Sequence, residues 1–492
     1  MVRCNDNGCL YDRTSRRFCM ADTPVIKAEG LSFKYNESEE GIFDISFEVM
    51  KGEAVLITGN SGCGKSTLLK CLNKLIPTIT EGELQGKLYI NGEDYAKVKM
   101  YDLNKEVGSV FQNPRSQFFT ENSTAELVFP MENYGMSKEK MRQKLGALKE
   151  EFGLLKVIGR DIFTLSSGER QLLALASSLT MDQKILIFDE PSANLDYGNA
   201  TRLGILIDKL KTQGYTIIVA DHRFYYLNGY IDKVLFMEQG RMIVFESEDE
   251  FKKSGYDTRS FDLFSLGLPF NNAKVVGKDI VAELNDISYK GIIKDINLKL
   301  YKHEVVGLVG SNGAGKTTLA KILCESNKPD SGKVIKSTLP FFIMQDPDYQ
   351  LFGTSVDNEL SLVKNDQEKI AECEEHLGLV PYRYKHPFDL SGGQKQRLQI
   401  AMALICDRDL IIFDEPTSGL DVYSMQRVSD EIVKLKEHAG VLVISHDYEF
   451  LRHVADRIIF LNEKTITDDF ELTGETVNRL NEIFNDMASL SA

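Results

Sequence analysis

The stretch GNSGCGKST, residues 59–67, decides the fold. It fits G-x-x-x-x-G-K-[ST], follows the apolar run Ala54-Val-Leu-Ile57 and leads into Leu68-Leu-Lys-Cys-Leu72, which reads as helix. Strand, glycine loop and helix in that order form a phosphate-binding loop. Glycines let the backbone turn so tightly that successive N–H groups face one anion. The helix N-terminus adds a favourable dipole. Gly59, Asn60, Ser61, Gly62, Cys63, Gly64, Lys65, Ser66 and Thr67 are therefore candidate nucleotide ligands. Lys65 would reach the β/γ-phosphates, and the Ser66 hydroxyl would ligate Mg²⁺. Cys63 reads as a small filler rather than as a reactive thiol.

The stretch occurs twice. GSNGAGKTT, residues 310–318, follows Val305-Val-Gly-Leu-Val309 and precedes Leu319-Ala-Lys-Ile-Leu323. It adds Gly310, Ser311, Asn312, Gly313, Ala314, Gly315, Lys316, Thr317 and Thr318, with Lys316 and Thr317 in the roles of Lys65 and Ser66.

Further blocks repeat in the same order, so the chain is an internal duplication. An apolar strand ends in Gln112 of Val110-Phe-Gln-Asn-Pro114, and in Gln345 of Ile343-Met-Gln-Asp-Pro347. LSSGERQ (165–171) and LSGGQKQR (390–397) each open a helix. Ile185-Leu-Ile-Phe-Asp-Glu-Pro191 and Leu410-Ile-Ile-Phe-Asp-Glu-Pro416 are buried strands ending in paired acids, followed by the turns SANLD (192–196) and TSGLD (417–421). Two more strands end in His222 and His446. Apolar β-rich runs alternating with helices predict an α/β fold with a largely parallel sheet in each half. A paired Asp-Glu at one strand end could be a solvated turn. Here both acids recur at one spacing behind Ser166 and behind Ser391, which argues for chemistry.

Composition narrows the function. The 492 residues are 42% hydrophobic and 27% charged, as in globular domains. A net charge of −15 argues against a nucleic-acid partner. No stretch approaches the ~18 apolar residues that span a bilayer, and no apolar signal core opens the chain, so a cytosolic location is expected. The eight cysteines form no C-x-x-C pair. Cys4, Cys9 and Cys19 lie in residues 1–22, expected to be a disordered leader or sequence upstream of a natural start at Met20, rather than a metal site. Residues 23–261 read as the first domain, 262–279 as a linker, 280–470 as the second domain and 471–492 as a helical tail packed within the molecule.

These motifs resemble the ATP-binding cassette (ABC) ATPases in both halves, over roughly residues 24–470. The LSGGQ-type signature is that family's own. The resemblance implies two tandem phosphate-loop domains, each with a helical subdomain, that pair head to tail within the chain. Each ATP site then takes its loop from one half and its signature from the other. One site would join Lys65, Ser66, Gln112, Asp189, Glu190 and His222 to Ser391, Gly392, Gly393 and Gln394. The other would join Lys316, Thr317, Gln345, Asp414, Glu415 and His446 to Ser166, Ser167 and Gly168. Asp189 and Asp414 would hold Mg²⁺, with Gln112 and Gln345 beside it. Glu190 and Glu415 would activate water. His222 and His446 would contact the γ-phosphate. Tyr35 and Tyr289 would stack on adenine, with Phe33 competing in the first half. In LSSGE, Ser167 and Glu169 replace a glycine and a glutamine, and an acid pointing at phosphate would be a mild liability.

FQNPRSQFF (111–119) and MQDPDYQLF (344–352) share Q-[ND]-P-x-x-Q-[FL]-F. This looks like the ATPases of energy-coupling factor and cobalt-type importers, which take up vitamins and transition-metal ions. It implies a transmembrane scaffold protein, a substrate-binding membrane subunit and a peripheral place on the cytoplasmic face of the membrane. Some of Asp346, Asp348, Asp357 and Glu359 are expected to meet arginines of that scaffold, the others forming a solvated acidic face. The alternatives are the fused ATPase of a monosaccharide importer and a ribosome-associated tandem-cassette translation factor.

Overall fold

The computed structural model describes residues 24–36, 40–112, 114–193, 195–256, 261, 263–264, 279–418, 420 and 422–491. The leader expected at 1–22 lies outside them, as does almost all of the linker expected at 262–279.

Each half carries a six-stranded sheet. In the first, strand Ala54–Thr58 lies parallel between Thr216–Ala220 and Lys233–Glu238; Ile185–Asp189 and Val107–Val110 extend one side, and antiparallel Arg241–Phe245 closes the other edge. In the second, Val305–Val309 takes the central place between Gly440–Ile444 and Arg457–Asn462. Leu410–Asp414, Phe341–Ile343 and antiparallel Thr465–Glu471 complete it. The central parallel strands are buried almost throughout. Sheets covered on both faces read as unbroken apolar runs for that reason. Parallel strands place their carboxyl ends together, and there the loops after Thr58, Asp189 and Ala220 converge.

A smaller antiparallel sheet flanks each core, and here the halves differ. The first orders Gly41–Val49, Ile26–Tyr35, Gly82–Ile90 and Glu93–Asp94; the second stops at three strands, with Ser331–Lys336 outermost. The second half thus lacks a counterpart to the Ile90–Glu93 turn.

The C-terminal helix Val477–Ser491 lies against helix Tyr197–Thr212 of the first half. Leu480, Ile483, Phe484 and Met487 are buried with Tyr448 and Leu451, and the Phe484 ring meets Tyr197 edge-on at 5.5 Å. Among the described residues no helix is long and apolar enough to cross a membrane.

Candidate functional site

Both phosphate loops close in the same way. Gly64 and Gly315 stand at the N-termini of helices Lys65–Leu72 and Lys316–Leu323 with φ of 105° and 107°. A Cβ at either would lie 2.7 Å from Ile42 or 2.5 Å from Ile293, so glycine is required twice over. The lysines curl back over their loops. Lys65 Nζ donates to the carbonyls of Gly59 (2.8 Å) and Asn60 (3.0 Å), and Lys316 Nζ to those of Gly310 (2.7 Å) and Ser311 (3.1 Å). Cys63 is buried with its thiol 3.8 Å from Lys65 Nζ, and burial pushes that thiol's pKa up, so it is an inert filler.

The acids arrive from the neighbouring strand. Ser66 Oγ donates to Asp189 at 3.2 Å, and Thr317 Oγ1 to Asp414 at 2.8 Å. Burial lifts both aspartyl carboxyls to about 6. A buried carboxylate beside a hydroxyl, short of positive charge, fits a Mg²⁺ ion that also binds substrate phosphates.

Glu190 and Glu415 follow in left-handed backbone, with φ of 43° and 52°. Such conformations cluster at functional turns. Each is anchored by its own N–H, on the carbonyls of Ala220 and Ile444. Burial alone would raise both carboxyls. The adjacent histidine and the phosphate-loop lysine outweigh it, and both remain below the usual glutamate value. His446 Nδ1 lies 2.7 Å from Glu415, and His222 Nδ1 3.5 Å from Glu190. The opposite nitrogen, Nε2, of each histidine is buried with no hydrogen-bond partner among the described residues. Nε2 is the ring position left open to a ligand, and when it carries a proton it can donate to phosphate. Gln112 Nε2 donates to Glu190 at 2.6 Å, and both Gln112 and Gln345 are solvent-exposed.

The repeated Gln-containing segment is pinned identically in both halves. Gln117 accepts from Phe111 N–H (3.2 Å) and donates to Ser109 C=O (3.3 Å); Gln350 does the same with Met344 (3.0 Å) and Phe342 (2.7 Å). Buried Glu126 accepts from the N–H groups of Phe119 and Thr120, and buried Glu359 from those of Phe352 and Gly353. Glu359 is therefore spent on the loop and is not one of the acids offered to a partner. Asp348 is ion-paired with Lys395 at 2.6 Å, and Asp346 caps the short turn that follows it.

The signature segments open helices Ser167–Ser178 and Gly392–Ile405. Glu169 does not point outward as a bare acid. Its carboxylate accepts from Ser166 N–H at 2.8 Å and meets Arg160 at 3.1 Å. Gln394 makes the equivalent bond to Ser391 N–H at 2.9 Å, so glutamate and glutamine serve one capping geometry. Gly168 packs against Asn199, where a Cβ would lie 2.7 Å away.

The halves meet through the turns beside these acids. Asp196 caps helix Tyr197–Thr212 with one oxygen and with the other accepts from Asn312 N–H, inside the second phosphate loop, at 2.7 Å. Ser418 Oγ donates to the Ala193 carbonyl at 3.1 Å. Arg223 Nη2 donates to Asp447 at 2.8 Å and to the Thr417 carbonyl at 3.2 Å. Ala193 and Ser418 hold equivalent positions in the two repeats, as do Arg223 and Asp447. Equivalent residues that touch lie on a local twofold axis, so the two halves pair through the same surface of each. Sequence reading missed Asp196, Arg223 and Asp447; the signal was that Arg223 and Asp447 follow the two repeated histidines with opposite charge. The polar contacts named here run through these turns, the C-terminal helix adds the apolar ones, and Ser166 and Ser391 are solvent-exposed in their own caps.

Tyr35 and Tyr289 end matching ten-residue strands. The Tyr35 hydroxyl bonds Thr67 Oγ1 at 2.9 Å, which sets its ring beside the first loop, while Phe33 is wholly buried in the core and does not compete.

Two phosphate loops, each with a hydroxyl–aspartate pair and a glutamate–histidine pair, define a tandem nucleotide hydrolase. The family model described as ABC transporter matches residues 42–193 and 293–418. A Treponema denticola protein named as an ABC transporter ATP-binding protein is 38% identical over 483 residues, covering 92% of this chain and 98% of its own. The HMP/thiamine import ATP-binding protein YkoD of Bacillus subtilis is 30% identical, covering 90% and 91%. The archaeal ribosome recycling factor solved with a ribosomal stalk protein superposes with a TM-score of 0.64 over 92% of each chain at 22% identity, a likeness of fold. The chain belongs to the ABC transporter ATP-binding family, whose domains bind and hydrolyse ATP.

Proposed function

We propose that the chain is the ATP-hydrolysing subunit of an importer of the energy-coupling factor type. It would drive uptake of a vitamin or a transition-metal ion through a transmembrane scaffold and a substrate-binding membrane subunit, from the cytoplasmic face. The observation that carries this reading is the Q-[ND]-P-x-x-Q-[FL]-F segment. In both halves the same bonds pin it, and it ends in an aromatic ring, Phe119 or Phe352, that is 75% or 78% exposed. Exposed aromatics held on a rigid loop suit a partner's groove. The name of the Bacillus subtilis relative, an import ATPase for HMP/thiamine, supports the vitamin branch.

At each site the roles follow from chemistry. The loops of residues 59–67 and 310–318 would cradle the phosphates, and Ser66 with Asp189 and Thr317 with Asp414 would hold a Mg²⁺ ion, which would supply neutralisation of the developing phosphate charge. Glu190 and Glu415, kept ionised, orient and deprotonate the attacking water. His222 and His446, each oriented through Nδ1 by that glutamate, present Nε2 to the γ-phosphate. Tyr35 and Tyr289 flank the adenine. Ser391 to Gln394 and Ser166 to Gly168 close across the interface when ATP binds, and the closure of domains 23–261 and 280–470 is the work delivered to the membrane partners.

Purification from detergent-solubilised membranes of the native cell tests this reading. Recovery of a small polytopic scaffold with a second membrane subunit is expected. Recovery of a sugar permease, or of ribosomes, contradicts it.

A further inference from the structure

The buried pair Arg223–Asp447 has no part in the chemistry above. Both side chains are almost fully enclosed, at 7% and 6% exposure, on the local axis between the halves. Arg223 belongs to the first half, immediately after His222. Its Nη2 reaches the second half, where it holds two points of one site. Asp447 directly follows His446, and the Thr417 carbonyl lies two residues past Glu415. Asp447 also caps helix Tyr448–Val454, and Thr417 N-terminally bounds the turn that includes Ser418. On its own side Arg223 is fixed by Asp221, which accepts from the N–H groups of His222 and Arg223 and also binds Ser192 and Tyr226.

The geometry points to Arg223 as a positioning residue for hydrolysis at the second ATP site, supplied across the interface by the first half. It ties together the two turns that aim His446 and Glu415. The dependence is one-sided. Arg223 belongs to the first half and reaches both an acid and a backbone carbonyl of the second, and that acid is also the cap of helix Tyr448–Val454. Removing one partner of a buried pair leaves the other charged and unsatisfied, so the turns will shift. A shift of about 1 Å at reacting groups costs about a hundredfold in rate. The inference rests on Glu415 and His446 being the hydrolytic pair of that site.

The test uses the full chain with Arg223→Ala and Arg223→Lys. Steady-state turnover is measured, together with vanadate trapping of a photoreactive ATP analogue, the labelled peptides being assigned to each half by mass spectrometry. Arg223→Ala is expected to lower trapping on the Lys316 peptide by about tenfold or more, and to lower it less on the Lys65 peptide, with the KM for ATP little changed. Arg223→Lys, which keeps the charge, is expected to recover a large part. Equal loss on both peptides, no loss on either, or a lysine variant as poor as the alanine would overturn the inference. Should Arg223→Ala fail to fold, the lysine variant and Asp447→Asn carry the same comparison. A Glu415→Gln chain that still traps on the second half would instead sink the base assignment and leave Arg223 a separate question.

Discussion

The two hydrolytic clusters are built from one pattern and are set differently. In the second half Glu415 is fully engaged by His446 at 2.7 Å and walled in by the interface. In the first, Glu190 stands 3.5 Å from His222 and is held at 2.6 Å by Gln112. The second glutamate is in direct hydrogen-bond contact with its histidine. The first is shared with the Gln-containing segment, the part of the fold that faces a partner in the proposed complex. Glu190 is thereby linked to the surface segment that carries Gln112, while the Arg223 charge helps hold both glutamates ionised from the interface.

That contrast can be broken in steps. The largest effect is expected from Glu190→Gln with Glu415→Gln: phosphate release falls by about a thousandfold while ATP binding persists, as for loss of general bases. Undiminished turnover ends the assignment for both halves. Deleting the chain from Val477 onward strips four buried apolar side chains from the seam between the halves. At about 1.5–3 kcal/mol for each, this lowers the melting temperature markedly, read by calorimetry. Gln112→Ala frees Glu190 and is expected to change first-site trapping about tenfold while sparing the second, since Gln112 bonds the glutamate of the first site. Charge reversal at Asp346 and Asp348 is expected to weaken recovery of membrane subunits, and unchanged recovery removes the acidic docking idea. The smallest effect belongs to Glu169→Gln. Gln394 already makes the same cap, so turnover should change less than about threefold and only the Arg160 ion pair is lost.

Most of the machinery was legible because it is local. A phosphate loop, an acid pair at a strand end and a glutamine after a strand are each specified within a few residues, and the duplication doubles the signal. The roles of Glu126 and Glu359 were not legible. Each spends its carboxylate on backbone N–H groups a few residues upstream, and that depends on how helices Ser123–Asn133 and Val356–Val363 meet the loop. Glu359 read from sequence as a candidate docking acid and proved structural. Glu169 read as a liability and proved a cap. The interface was hidden most deeply. Repeats reveal which residues are equivalent, not which ones touch, so Asp196–Asn312 and Arg223–Asp447 needed the packed halves. The departure from repetition at Arg223 and Asp447 was the trace they left.

The central claim is that the two halves close on ATP to complete each other's sites. It is tested most directly by a distance between spectroscopic labels at exposed Glu238, beside the first phosphate loop, and exposed Phe388, just before the second signature. In the Glu190→Gln, Glu415→Gln chain the distance should shorten when Mg²⁺ and ATP are added and relax when they are removed. A distance that is unchanged by nucleotide, or that lengthens, would contradict the account.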